Sequence, residues 1–146
     1  MLSCYIGLVK ETAFQEAEEF GFHTADIVQE WMWDDDVSEA IRRNIQRLTG
    51  EDLVDEDFDS SVDGVIVWWR DGDDEETLGN TLVDAYSVLG DDGPMWILTP
   101  KPGRKGAASS STIQAAANSV GMNAAMPLTA DDDWNAIRLS SFGKGR

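Results

Sequence analysis

The 146-residue chain sets 28 Asp and Glu against 11 Lys and Arg, a net charge of −17, and is 42% hydrophobic with six Trp, one Cys and one His. A chain of this length buries roughly two-thirds of its extended surface, so a core needs no disulfide or metal staple. The charge excludes the basic face that phosphate-backbone binding and attraction to anionic membranes require.

No apolar run reaches the roughly 20 residues of a membrane span, and Met1–Lys10 lacks the basic leader and cleavage site of a signal peptide. Cys4 has no second cysteine for a disulfide or a multi-cysteine zinc site, which fits a reducing compartment; a cytoplasmic protein is the expectation.

Thr12–Phe20 can form a short helix, with Ala13, Ala17 and Phe20 on one side, Glu16, Glu18 and Glu19 outside, and Gly21 at the stop. Residues 1–18 therefore read as an N-terminal extension or short helix ahead of a single α/β domain over 19–146. Ile27–Trp33 is a predicted strand, ended by Asp34-Asp35-Asp36, whose carboxylates suit a helix N-terminus. Val37, Ile41, Ile45 and Leu48 recur at helical spacing, with Arg42, Arg43 and Arg47 facing away and Gly50 at the end. Leu53-Val54 is a short strand running into Asp55-Glu56-Asp57. Val62–Trp69 is apolar and β-branched, the pattern of a central strand covered on both faces.

Beyond Arg70–Asp74, the residues Leu78, Leu82, Ala85, Tyr86 and Leu89 mark a helix face, and Gly90-Asp91-Asp92-Gly93 ends it. Met95–Thr99 is a strand closed by Pro100. Ser110 or Ser111 caps a third helix with Ile113, Ala116, Ala117 and Val120 on its apolar side and Gly121 at its stop. Ala124–Leu128 and Trp134–Leu139 are strands around the turn Thr129–Asp133. Such alternation predicts a three-layer, Rossmann-like α/β fold: a mostly parallel sheet with helices on both faces and a C-terminal antiparallel hairpin at one edge.

Charge is spread unevenly. Residues 1–100 hold 25 acidic and 5 basic side chains, whereas 101–146 hold 3 and 6. The run Thr99-Pro100-Lys101-Pro102-Gly103-Arg104-Lys105 places three cations on a loop stiffened by two prolines, which fix φ and lower the entropy of holding one shape.

Val65-Ile66-Val67-Trp68-Trp69-Arg70-Asp71, the run Trp96 to Arg104 and Trp134–Leu139 resemble a family of small, acidic actinobacterial proteins whose function is unknown. Ile27–Gln29, Trp33 and Leu53–Asp57 extend the resemblance over roughly 19–142. At the level of fold, residues 62–142 resemble the C-terminal half of a class I S-adenosylmethionine-dependent methyltransferase. Such enzymes carry a glycine-rich loop after the first strand, so that backbone can approach the cofactor. Here the corresponding Trp33-Asp34-Asp35-Asp36-Val37 has no glycine, so methyl transfer is not expected, although Asp55–Asp57 stands where that resemblance implies a ribose-binding carboxylate.

Open parallel sheets bind ligands beyond the carboxyl ends of their strands, a rim that here gathers Asp34–Asp36, Asp55–Asp57, Arg70–Asp73 and Thr99–Arg104. The acidic runs lack the ordered spacing of a calcium loop, and helix capping with solubility accounts for them; no metal and no cofactor is expected. Lys101 and Arg104 can receive a phosphate, a carboxylate or an acidic partner segment, or can pair with the chain's own aspartates. Arg70 either joins that rim or neutralises Asp71 and Asp73. Core packing is expected for each Trp, with Trp31 and Trp33 on one face of their strand and Trp68 and Trp69 on opposite faces of theirs. His23 stands at the wrong end of its strand, Cys4 has no identifiable base, and no GxSxG, P-loop or HExxH pattern occurs; no catalytic residue is assigned.

Three functions fit, in descending order. The first is a non-enzymatic regulatory or protein-interaction module on a degenerate methyltransferase-like fold, holding a partner with the rim of Arg70 and Lys101 to Arg104 or with its acidic flank. The second is a binder of, or enzyme for, a small anionic ligand such as a nucleotide, with Lys101 and Arg104 on the anion and Asp55 or Asp57 accepting a hydroxyl. The third is an acidic mimic of nucleic acid that occupies a basic partner.

Overall fold

Residues 20–70, 75–90 and 93–141 are described by the computed structural model of this chain. The helix expected at Thr12–Phe20 and the N-terminal extension lie outside the described residues except for Phe20, as do Asp71–Asp74 and Asp91-Asp92. The elements run β1 (Val28–Trp31), α1 (Glu39–Thr49), β2 (Gly64–Trp68), α2 (Glu75–Val88), β3 (Met95–Pro100), α3 (Ser110–Ser119), β4 (Met122–Ala124), β5 (Leu128–Thr129) and β6 (Trp134–Ser141).

The sheet order is β1-β2-β3-β6-β4, with β5 also paired to β6. Strands β1, β2 and β3 are parallel, and β6 is antiparallel to each of its partners. The α/β expectation holds, with β2 interior as its unbroken apolar run requires. The C-terminal hairpin supplies the antiparallel edge as expected, with β6 paired to β3 on its inner side and β4 outermost. The expected strand Ala124–Leu128 is divided in two around Pro127, which has no N–H to give to a ladder. Leu53-Val54 shrinks to one bridging residue beside β1, because the chain turns at once, with Phe58 N–H on Asp55 O at 3.1 Å.

Each face of the sheet has its own core. Val65, Val67 and Trp69 pack under α2 and α3 with Leu78, Leu82, Ile113 and Ala117. Ile66, Trp68 and Leu98 pack on the other face with Ile41 and Ile45 of α1. Trp68 and Trp69 are fully buried on opposite faces, as strand alternation demands. Trp31 is half-buried and packs against the core under α2 and α3, whereas Trp33 is 50% exposed, against the expectation of core packing, because the strand ends at Trp31 and Met32 takes a positive φ of 60° that breaks the alternation.

Two helix caps were placed by sequence to within a residue or two. Ser38 caps α1, accepting from Ile41 N–H at 3.2 Å. Ser109, and not Ser110 or Ser111, caps α3 through Thr112 N–H. Arg42 does not face away: its Nε and Nη2 grip Glu30 at 2.7 and 3.0 Å, and Glu30 also accepts from Trp68 Nε1 at 2.8 Å. The Glu30 side chain is 6% exposed, and the hydrogen-bonded carboxylate holds Arg42 even more firmly protonated than usual. No helix among the described residues is long and apolar enough to cross a membrane.

Two substitutions test the packing. A Cβ on Gly64 would stand 2.3 Å from Phe22 Cε1, and Phe22 is buried. Gly64→Ala is therefore expected to destabilise by about 2 kcal/mol through overpacking, read as a lower urea midpoint. Thr99 Oγ1 is buried with no hydrogen-bond partner among the described residues. Thr99→Val removes that orphan and is expected to raise stability by about 1 kcal/mol in the same assay.

Candidate functional site

The carboxyl ends of β1, β2 and β3 meet an open cleft of about 460 Å³ lined by Asp36, Arg70, Pro100, Arg104, Lys105, Gly106, Asp133 and Trp134. Three segments build it. Asp36 comes from the β1–α1 connection, Asp133 from the turn between β5 and β6, and the floor from the loop that joins β3 to α3.

Arg70 stands two residues beyond β2 and is the best-anchored cation of the rim. Its Nη1 donates to Met32 O at 2.7 Å and Trp68 O at 3.0 Å, so one side chain joins the ends of β1 and β2. Its Nε donates to Asp36 Oδ2 at 3.0 Å and its Nη2 to Asp36 Oδ1, the bidentate geometry in which Arg and carboxylate match best. The guanidinium carbon lies 5.8 Å from the centre of the Trp134 ring, and Trp134 meets Trp68 edge-on at 4.9 Å. The hydrogen bonds from Arg70 hold the Asp36 carboxyl below the usual carboxylate range. Gly106, at φ +85°, lies over the Arg70 stem; a Cβ there would touch Arg70 Cβ and Cγ at 3.4 Å in a backbone conformation that side chains resist.

The β3–α3 loop is wound from short turns. Arg104 N–H returns to Lys101 O at 3.0 Å, Ala107 N–H to Arg104 O at 3.2 Å, and Lys101 N–H ties the loop to Asp133 O at 2.9 Å. Arg104 Nε pairs with Asp133 Oδ1 at 3.1 Å, both side chains more than half exposed, and Nη2 reaches Asp132 O at 3.4 Å. Lys101 and Lys105 make no ion pair among the described residues. The wall opposite is fixed by Ser38, whose hydroxyl donates to Asp131 Oδ2 at 2.5 Å while Asp131 Oδ1 accepts from Asp133 and Trp134 N–H.

Of the residues singled out from sequence, the cleft brings together Arg70 and Arg104, with Lys101 on the same loop. Asp55 and Asp57 do not line it. They shape the turn after Val54, where Asp55 Oδ1 accepts from Asp57 N–H at 3.0 Å and Asp55 O accepts from Gln29 Nε2 at 3.0 Å. Sequence reading missed Asp36 as the partner of Arg70, and Asp133 and Trp134 as cleft walls. No sequence signal separates Asp36 from Asp34 and Asp35, or Asp133 from Asp131 and Asp132. His23 is exposed beside Asp26, away from these elements in the loop before β1. Among the described residues no group of three or more His, Cys, Asp or Glu is placed to hold a metal ion.

A protein family described as "protein of unknown function (DUF3052)" matches residues 17–142. An uncharacterised protein of Mycobacterium tuberculosis is 39% identical over 125 residues, spanning 84% of this chain and 76% of the relative. Among solved structures, an S-adenosylmethionine-dependent methyltransferase from Bacteroides fragilis in complex with S-adenosylhomocysteine superposes with a TM-score of 0.57 at 11% identity, over 85% of this chain and 75% of the other. The magnesium protoporphyrin IX methyltransferase of Synechocystis gives 0.51 at 12% identity, over 84% and 73%. At such identities the likeness is one of fold.

The residues present do not suit an adenosyl cofactor. Where glycines would admit it after β1, Met32 holds a positive φ with a full side chain, Asp34–Asp36 follow, and the Arg70–Asp36 pair crosses the strand ends. That pair also predicts an acid response. Asp36, with its pKa depressed in the folded state, contributes stability above the unfolded carboxyl value of about 4 and loses it as pH falls further. Asp36→Asn is expected to flatten the loss of melting temperature between about pH 4 and pH 2, leaving the neutral branch lower than in the parent.

Proposed function

The chain belongs to the DUF3052 family of proteins of unknown function, and on its methyltransferase-like fold we propose a non-enzymatic, cytoplasmic regulatory module that docks an acidic segment of a partner protein. One observation carries the reading: the Arg104 side chain is held by an exposed, exchangeable pair with Asp133 and one long bond to Asp132 O, while Lys101 and Lys105 beside it make no ion pair among the described residues, all three on a loop pre-shaped by its own turns. Exposed ion pairs are worth about 0–1 kcal/mol, so an incoming carboxylate displaces Asp133 at small cost. The loop order is already set, which lowers the entropy of association. In a molecule of net charge −17 this rim is the place where an anion meets local attraction, and the remaining acidic surface selects against unrelated anions.

A second reading, a small anionic ligand such as a nucleotide, is favoured by the size of the cleft, since about 460 Å³ lies within the range of small-molecule sites. Its acidic walls, Asp36 and Asp133, count against it.

A fluorescent hexaglutamate peptide titrated by anisotropy at low salt separates the readings, with ATP and inorganic phosphate as competitors. The triple variant Lys101→Ala, Arg104→Ala, Lys105→Ala is expected to weaken peptide capture at least tenfold, about 1.4 kcal/mol, with its melting temperature nearly unchanged. Asp133→Asn, which frees Arg104, is expected to tighten capture two- to threefold by this argument of about 0.5 kcal/mol. Equal capture by parent and triple variant removes the docking proposal, and stronger binding of ATP than of peptide moves the assignment to the second reading.

A further inference from the structure

Open α/β sheets take ligands where connections leave neighbouring strands over opposite faces. In this chain that place lies between β1 and β2. From β1 the chain runs through α1, on one face, to Val54 at the outer edge of β1, then returns to β2 at the inner edge and continues under α2 and α3 on the other face. The crevice at the switch is filled by Arg70, which spends four of its five N–H donors on Met32 O, Trp68 O and both Asp36 oxygens. The side chain is 17% exposed.

Every group that faces the guanidinium is electron-rich: one carboxylate, two strand-end carbonyls and the face of Trp134. Such a set suits a planar cation and offers no donor to a phosphate or to a cofactor carboxylate. We propose that the switch-point crevice is a guanidinium site occupied in cis by Arg70, and that this resident side chain shuts it to adenosyl cofactors and nucleotides. Two features keep the occupant in place. Met32 presents its carbonyl from a positive-φ conformation pinned by its own N–H on Glu56 Oε2 at 3.0 Å. Gly106 lies against the Arg70 stem from above. A soluble ligand must also compete with a group tethered at millimolar or higher effective concentration. The crevice opens into the same cleft as Arg104, but the proposal rests on Arg70, which the Lys101, Arg104 and Lys105 substitutions leave in place, so it is tested separately from partner docking.

The test uses the full chain and two kinds of titration. Arg70→Ala leaves a space matching N-ethylguanidinium. At about 10 mM, that cation is expected to raise the melting temperature of the variant by about 3 °C and to change its tryptophan fluorescence, while ethylammonium at the same ionic strength does much less and the parent responds to neither. If Arg70→Ala does not fold alone, its refolding from urea with about 10 mM N-ethylguanidinium, against ethylammonium as control, reads the same discrimination. The parent chain titrated calorimetrically with S-adenosylmethionine and S-adenosylhomocysteine is expected to release no heat. Micromolar binding of either by the parent overturns the proposal, as does an equal response of the variant to ethylguanidinium and ethylammonium.

Discussion

The rest of the rim depends on the tie that Arg70 makes across the ends of β1 and β2. Parallel strands in this fold splay at their carboxyl ends to leave a ligand crevice, and an arginine with fixed fork geometry spans that gap as no lysine can. By bonding Met32 O and Trp68 O together with Asp36, the guanidinium fixes the start of the β1–α1 connection, and with it the position of the Ser38 cap. Ser38 in turn holds Asp131, and Asp131 sets Asp133 and Trp134 at the start of β6. The wall facing the cationic loop thus traces back, bond by bond, to one side chain at the end of β2.

A second charged contact supports the first from below. Glu30 is buried in β1, paired with Arg42 of α1 and capped by the indole N–H of Trp68. Removing one partner of such a pair strands a buried charge, at a cost of about 3–5 kcal/mol. Trp68 then meets Trp134 edge-on, and Trp134 lies beneath Arg70. The two charged groups are therefore linked through an edge-on pair of indoles, so that the α1 face of the sheet and the rim are one packed unit. The opposite face, under α2 and α3, is largely apolar, with the buried Gln29 side chain hydrogen-bonded at its outer edge and Trp69 Nε1 and Thr99 Oγ1 lacking a partner among the described residues at its carboxyl end. This asymmetry leaves one side of the rim closed by internal polar bonds and the other, at Lys101, Arg104 and Lys105, open to solvent.

Much of this was legible in the residues. The apolar run Val62–Trp69 marked an interior strand because burial on both faces removes the need for alternation. Ile41 and Ile45 marked α1, and Gly50 its end, because helical period and termination are local properties. The cationic loop stood out because three positive charges interrupt an acidic chain. Legibility failed wherever a residue's role depended on a distant partner. Arg42 was assigned to the solvent side of its helix because periodicity counts apolar neighbours and knows nothing of a glutamate on another element. Trp33 was assigned to the core because period 2 assumes that the strand continues, and a single positive φ at Met32 ends it. Asp36 was indistinguishable from Asp34 and Asp35 until Arg70 selected it.

The sequence alone therefore determined the order of helices and strands, the α/β class, the acidic character and the location of the cationic loop, since each follows from local propensity, hydrophobic period or simple charge. The tertiary structure decided that β6 enters between β3 and β4, that Arg70 pairs with Asp36, and that Asp55 and Asp57 do not line the cleft. The physical reason is that strand insertion and ion pairing are choices among several partners of equal local merit. Only the geometry of the assembled sheet, which brings residues 34 positions apart within hydrogen-bond reach, makes one of them lower in free energy than the rest.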